Sequence, residues 1–329
     1  MYHQAYGIIK TLAPLHVGAT AGEETGNMNL IFRDQFTRTG IIPGSSIRGR
    51  LRAEMRYYQG EEEVRIWYGS DVTDDDEQES SNGTVPNQTT ESQVKLEYAS
   101  TNDGEQKSSN STVSNRTTES RVKFEYASIV WLPVFCPGQP IVWVSCKRLL
   151  KRYQRIAGLN DLILPRTYVK SKSLTPLPNQ KLFFNFGFLT IANGTISSDW
   201  FPDGEELPAV IVADDEISMI HDMALYRQSR VALEKNQKRN AHKAFFGVEA
   251  LPEETILAFP IGLKKNRDNK QWEPFGKKEV QNHKPQDSKA KHDGNNDKKV
   301  VSNVYLGGLE SVGFGHCQMT LFNTNVPED

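Results

Sequence analysis

From Tyr6 to Val17 the chain has strand-like composition, interrupted by Pro14, which predicts an opening strand. Pro43-Gly44-Ser45-Ser46 then punctuates a helix start, and a helical period runs to about Gln59. Ile47, Leu51, Met55 and Tyr58 fall on one face of that helix. Arg48, Arg52 and Arg56 recur at i, i+4 and i+8 beside it, and the serines are expected to accept the orphan N–H groups of its first turn. Ile129 to Val134 and Ile141 to Val144 read as strands joined by a Pro137-Gly138 turn. A second basic helix follows from about Lys147 to Ala157. Leu149, Tyr153 and Ile156 face inward on it, and Lys147, Arg148, Lys151, Arg152 and Arg155 mostly outward. Leu182 to Ile191 and Leu207 to Ala213 read as strands, and Asp214-Asp215-Glu216 opens a third helix with acids at its positive end. Strand, helix, strand, strand, helix, strand is the ferredoxin-like α+β pattern, usual in RNA-binding modules.

Two polar stretches break this frame. Between about 73 and 128 the chain repeats itself with a period of 28 residues, and 16 of the 22 positions aligned from Glu79 to Ser100 and from Lys107 to Ser128 are identical. Two near-identical copies indicate a recent duplication inside a loop rather than a stacked-repeat fold. Each copy ends in an alternating run, Val94 to Tyr98 and Val122 to Tyr126, and the second leads directly into the Ile129 strand. The second is therefore expected to be the built-in strand. Sequons at Asn82, Asn87, Asn110 and Asn115 are expected from chance in so Ser/Thr/Asn-rich a segment. The other stretch, from about 264 to 299, holds 11 Lys or Arg against six Asp or Glu. Its composition cannot bury a core, and its net charge of +5 beside Trp272 and Phe275 suits either phosphate contact or a solvated loop. Glu61 to Glu79 is its acidic counterpart, with nine acids against Arg65. The rest is read as one domain spanning residues 1–329.

The opposed stretches explain the totals. Across 329 residues, 39 Lys plus Arg nearly balance 41 Asp plus Glu, which excludes a uniformly basic coat but not a local basic groove. An apolar content of 37% is low because the insertions dilute an ordinary core. No membrane-length apolar run and no secretory signal are visible, so a cytoplasmic location is expected. Three cysteines and seven histidines show no metal-ligand spacing, which disfavours a structural metal.

Two glycine motifs carry the candidate chemistry. Gly44-Ser45-Ser46-Ile47-Arg48-Gly49-Arg50-Leu51-Arg52 places Ser45 and Ser46 at a helix N-terminus that can bind phosphate, with Arg48 and Arg52 one turn apart. Gly307-Gly308-Leu309-Glu310-Ser311-Val312-Gly313-Phe314-Gly315 lets backbone approach RNA or a neighbouring element without a Cβ clash. Neither is a Walker loop or a dinucleotide fingerprint.

These motifs, with Pro14-Leu15-His16-Val17-Gly18 before them, Trp67-Tyr68-Gly69 between them and Phe245 to Thr255 late in the chain, resemble the RAMP superfamily. The likeness is to the repeating backbone subunits of type III CRISPR effector complexes. It implies a modified ferredoxin-like (RRM-like) palm with a β-hairpin thumb, stacked along a guide RNA (crRNA). It also implies guide contacts from Ser45, Ser46, Arg48, Arg52, Gly307, Gly308, Gly313 and Gly315, with target RNA and other effector subunits as partners. His16 sits at a strand end in the family pattern, in a packing or RNA-stacking role. The inserted loops suggest a specialised single-copy member.

Relatives that cut target RNA use an acid, typically Asp, between the Pro-Leu-His stretch and the Pro-Gly-Ser-Ser turn, with a divalent metal. Here the matching position is Asn29, and an amide neither accepts the proton nor ligates metal well. The resemblance thus implies a non-cleaving scaffold. The alternative is an active endoribonuclease using Mg2+ or Mn2+ with Asp34, or Glu23 or Glu24, as the substitute carboxylate.

Overall fold

The opening strand is β1 (Tyr2–Thr11), which ends short of Pro14. A computed structural model describes residues 2–18, 28–69, 118–185, 187–202, 204–233, 240–264, 270–276 and 299–325. After β1 come β2 (Met28–Asn29), β3 (Ile41–Ile42), α1 (Gly44–Gln59), α2 (Glu61–Tyr68), β4 (Val122–Phe124), β5 (Ala127–Cys136), β6 (Gln139–Cys146) and α3 (Lys147–Ala157). The second half holds β7 (Lys181–Phe184), β8 (Gly187–Thr190), β9 (Ala209–Val212), α4 (Ile217–Ala224), β10 (Tyr226–Leu233), β11 (Asn240–Ala250), β12 (Ile256–Lys264), β13 (Val300–Tyr305) and β14 (His316–Phe322).

The result is a mixed α+β fold around one nine-stranded sheet, ordered β13-β14-β1-β12-β5-β6-β9, with β3 on β5 and β4 on β12. Strand β1 lies mid-sheet, antiparallel to both β12 and β14. Its alternation feeds two cores. Ile9 joins Leu257 and Phe259 under Ile47, Leu51 and Met55 of α1 and Val64 and Trp67 of α2. Ile8 faces the other way, with Val130, Trp131 and Ala258 beneath Leu150 and Tyr153 of α3. There the Trp131 and Phe201 rings stack at 4.9 Å. The basic helix α3 is the crossover between β6 and its parallel partner β9.

Several expectations change in detail. Leu182 to Ile191 is not one strand but a hairpin of β7 and β8, closed between Phe184 and Gly187. The acidic stretch begins as α2, whose first turn holds Glu61, Glu62 and Glu63 at the positive helix end. Pro43 is the N-cap residue of α1, and no serine side chain caps it. The second duplicate supplies β4 and the start of β5, as expected, whereas the first copy and the four sequons lie outside the described residues. In the Lys-rich segment Trp272 and Phe275 are core residues, each 1% exposed, with Trp272 5.8 Å from the Phe124 ring. They anchor that segment to the sheet and are not available to stack on RNA.

A second sheet, β10-β11-β2, stands apart from the large one. It is fixed by a buried carboxylate. Glu249 accepts two 2.9 Å bonds from Arg33 and one of 3.1 Å from Arg227. Arg33 also donates to Asp222 on α4. Beside it His221 is fully buried, and its Nε2 accepts the Gly40 N–H at 2.9 Å. Burial holds the His221 pKa below its usual value, so the ring stays neutral. The His221 ring, with its Nδ1 3.7 Å from the Asp222 carboxylate, and the Arg33 guanidinium alongside hold the Asp222 carboxyl down at about 2.

Two tests follow from this packing. A Cβ on Gly7 would fall 2.2 Å from the Phe259 ring of the partner strand. Gly7→Ala should therefore destabilise the protein by about 1–3 kcal/mol in urea unfolding, the usual cost of overpacking. Adding Phe259→Leu should cost less than the sum of the two single changes, because the residues touch. For Asp222, the folded pKa of about 2 lies below an unfolded value of about 3.9. Its contribution is thus present above pH 4 and lost as pH falls towards 2. The stability gap between wild type and Asp222→Asn, followed by denaturant unfolding, should close over that interval.

Candidate nucleic-acid interface

The two glycine motifs and the Pro-Leu-His stretch, far apart in sequence, are partly brought together. The turn between β13 and β14 folds back on the end of β1: Gly308 N–H donates to the His16 carbonyl at 3.0 Å, and Gly315 N–H to that of Pro14 at 2.9 Å. A Cβ on Gly307 would fall 2.1 Å from the His16 oxygen, and one on Gly315 2.3 Å from that of Leu306. Both have positive φ, as does Gly313. These three glycines are therefore required by the loop itself. Gly308 is different, because its φ is unremarkable and nothing lies within 4 Å of where its Cβ would stand. His16 is only 8% exposed, and its Nδ1 lies 2.7 Å from the Glu249 carbonyl. It braces the loop from within, the packing alternative of its two expected roles.

Helix α1 shows the same contrast. Its core stripe is Ile47, Leu51, Glu54 and Met55. At about 100° per residue, Ser45, Gly49 and Arg52 form the opposite stripe. Ser45 and Gly49 are exposed, and a Cβ added to Gly49 would likewise meet nothing within 4 Å. A helix-interior glycine costs about 1 kcal/mol relative to alanine, and among the described residues no neighbour requires it. Ser46 is half-buried on the first turn. Arg48 leans aside: it donates to the Tyr68 carbonyl at 2.8 Å and lies 5.6 Å from the Tyr68 ring centre. Arg48 and Arg52 thus do not form the matched pair that their spacing suggested. The helix has no side-chain cap, which leaves its positive end open to an anion.

Asp34 closes a turn with one of its two carboxylate oxygens. Its Oδ1 accepts from the Phe36 N–H at 3.0 Å, the Thr37 N–H at 2.8 Å and the Thr37 hydroxyl at 3.0 Å. Burial pushes its carboxyl up, but those donors and nearby Arg148 outweigh this and hold it below the ordinary carboxylate range. Asn29 lies in β2, paired alongside Val248 of β11, and Glu23 and Glu24 fall outside the described residues. Among the described residues no three His, Cys, Asp or Glu side chains gather as a metal site would require.

Sequence reading passed over two aromatics here. Phe36 is 72% exposed under Arg148, and Tyr126 lies 4.0 Å beneath Arg152. The available signal was an aromatic residue inside the polar Asp34 to Thr37 turn, which no core position explains.

Residues 8–318 match the sequence model of the RAMP superfamily. No curated protein matches the chain in sequence. Among solved structures, the chain is similar to one from the apo type III-B Cmr-beta complex, at 14% identity and a TM-score of 0.61 over 98% of each chain. It is similar to one from Cmr-beta bound to cognate target RNA, at 14% identity and 0.60 over 97% of each. Oligomeric Cmr4 from Pyrococcus furiosus matches over 100% of both chains, at 14% identity and 0.55. These likenesses establish a shared fold, and the family match over nearly the whole sequence makes this chain a member of the RAMP superfamily.

Proposed function

We propose that the chain is a guide-RNA-binding backbone subunit of a type III CRISPR interference complex, which positions target RNA without cleaving it. The observation that carries this reading is the bare backbone at Gly49 and Gly308, where neither conformation nor packing calls for glycine. A phosphate–sugar backbone lying on the Ser45–Gly49–Arg52 stripe supplies the missing reason. The open end of α1, the Ser45 and Ser46 hydroxyls and the Arg52 charge then hold phosphates, and the glycine loop offers peptide groups at close range. In this reading the strands β14-β1-β12-β5 form the palm and the β10–β11 hairpin the thumb. Other effector subunits are the neighbours in this reading.

Cleavage of a paired target would need a carboxylate able to take a proton or hold Mg2+ or Mn2+. The described residues do not fit that task. Asn29 carries an amide, and the Asp34 oxygen Oδ1 already accepts three hydrogen bonds. No catalytic step is therefore assigned to the described residues, and Glu23 and Glu24 lie outside them.

Binding is tested by Gly49→Leu and Gly308→Val, at positions where an added Cβ meets nothing within 4 Å. Thermal unfolding should show the first unchanged or stabilised and the second unchanged. Guide affinity should fall at least about tenfold in each, as expected when close backbone approach is blocked. Wild-type affinity in both would refute the reading. For cleavage, Asp34→Asn keeps the Oδ1 acceptor and removes the charge. The pattern of target cuts in the assembled complex should be unchanged, and the loss of a cut would contradict the non-cleaving assignment.

A further inference from the structure

A cleft of about 430 Å³ opens between the Asp34 to Thr37 turn, the start of β5 and helix α3. None of its lining residues belongs to α1 or to the glycine loop. Along α3, Arg148, Lys151 and Arg155 stand at i, i+3 and i+7, on one face, and all three line this cleft and are exposed. Among the described residues no carboxylate lies within ion-pair distance of any of them. The one acid lining the cleft, Asp34, faces Arg148 and is held down by it, so the cations of this wall outnumber the carboxylates of the cleft. The fourth basic residue, Arg152, has an internal role: it donates to the Ser128 hydroxyl at 3.0 Å and the Tyr126 carbonyl at 3.2 Å.

The other side of the cleft is aromatic. Phe36 projects into solvent, 72% exposed, with the Arg148 guanidinium 4.9 Å from its ring centre. Tyr126 is held under Arg152, and its hydroxyl reaches the Asp34 Oδ2 at 3.4 Å. A second cleft of similar size, lined by Tyr2, Lys123 and Glu125, shares Arg155 with the first. An excess of cations spaced along an aromatic platform matches a flexible polyanion with flat bases, and sequence-tolerant stacking needs nothing more.

We propose that this cleft is a second subsite for single-stranded RNA, in which a base stacks on Phe36 and the flanking phosphates lie on Arg148, Lys151 and Arg155. The inference rests on the reading of the chain as an RNA-binding subunit but uses a separate surface. It assigns α3 a role beyond linking β6 to β9.

The test uses the full chain and a fluorescein-labelled oligouridylate of about ten nucleotides, within the span such sites cover. Anisotropy titrations run between about 50 and 200 mM salt. The triple variant Arg148→Ala, Lys151→Ala, Arg155→Ala should lose at least about tenfold in affinity, with its log–log salt slope flattened by roughly two, three contacts at about 0.7 each. Phe36→Ala should lose about tenfold with the slope unchanged, and Phe36→Tyr should restore binding, as stacking requires. All four side chains are exposed, and unchanged thermal unfolding confirms that the variants are folded. If Gly49→Leu loses RNA while the triple variant and Phe36→Ala bind as wild type, the subsite is refuted and the guide-binding reading stands. If the triple variant binds RNA normally but fails to retain an acidic partner subunit, the cleft is a protein-docking surface and the proposal is likewise overturned. If the wild-type chain binds no RNA, both fall.

Discussion

Glu249 is the point on which the arrangement around the glycine loop depends. A carboxylate only 1% exposed is stable when charges surround it, and Arg33 and Arg227 supply them from either side. The same residue's carbonyl accepts the His16 ring, and the His16 carbonyl in turn accepts the Gly308 N–H. A continuous chain of contacts therefore links the turn after β2, the β10–β11 hairpin, the end of β1 and the glycine loop. Each link satisfies a buried polar group that would otherwise be costly. The loop is held in place by an ion cluster that lies behind it.

That separation between frame and surface recurs at the glycines. Gly307 and Gly315 are demanded by their neighbours, since a Cβ would collide with a carbonyl oxygen. Gly49 and Gly308 face outward, with no internal demand. The chain thus gives up helix stability at Gly49 with no gain inside the fold, a local inconsistency of the kind that marks functional surfaces. Arg48, by contrast, is drawn into the fold by the end of α2. Residue type alone did not distinguish these roles; surroundings did.

Much of the frame was legible because its signals are local. The apolar stripe of α1, the β5–β6 hairpin at Pro137-Gly138, the basic α3 and the acid-led α4 all follow from periodicity and caps within a dozen residues. Strand β12 was harder: it is buried on both faces, so it does not alternate, and Pro260 argues against a sheet interior. The β10–β11 hairpin stands outside the main sheet, and its strands lack a simple apolar face. Trp272 and Phe275 were misjudged since a Lys-rich setting hid two core anchors. In the site, the motifs were readable, but the bond from Gly308 to His16 joins opposite ends of the chain and has no local signature. Asp34 looked like a spare acid because its three donors lie in backbone and hydroxyl groups that composition does not reveal.

The central claim is that RNA lies on the outward stripe of α1 and on the glycine loop. Ultraviolet crosslinking of the protein to the RNA it carries when purified, followed by peptide mass spectrometry, reads this directly. The account predicts adducts on peptides covering residues 45–52 and 307–315. Purification without RNA, or crosslinks confined to surfaces remote from both segments, would contradict it.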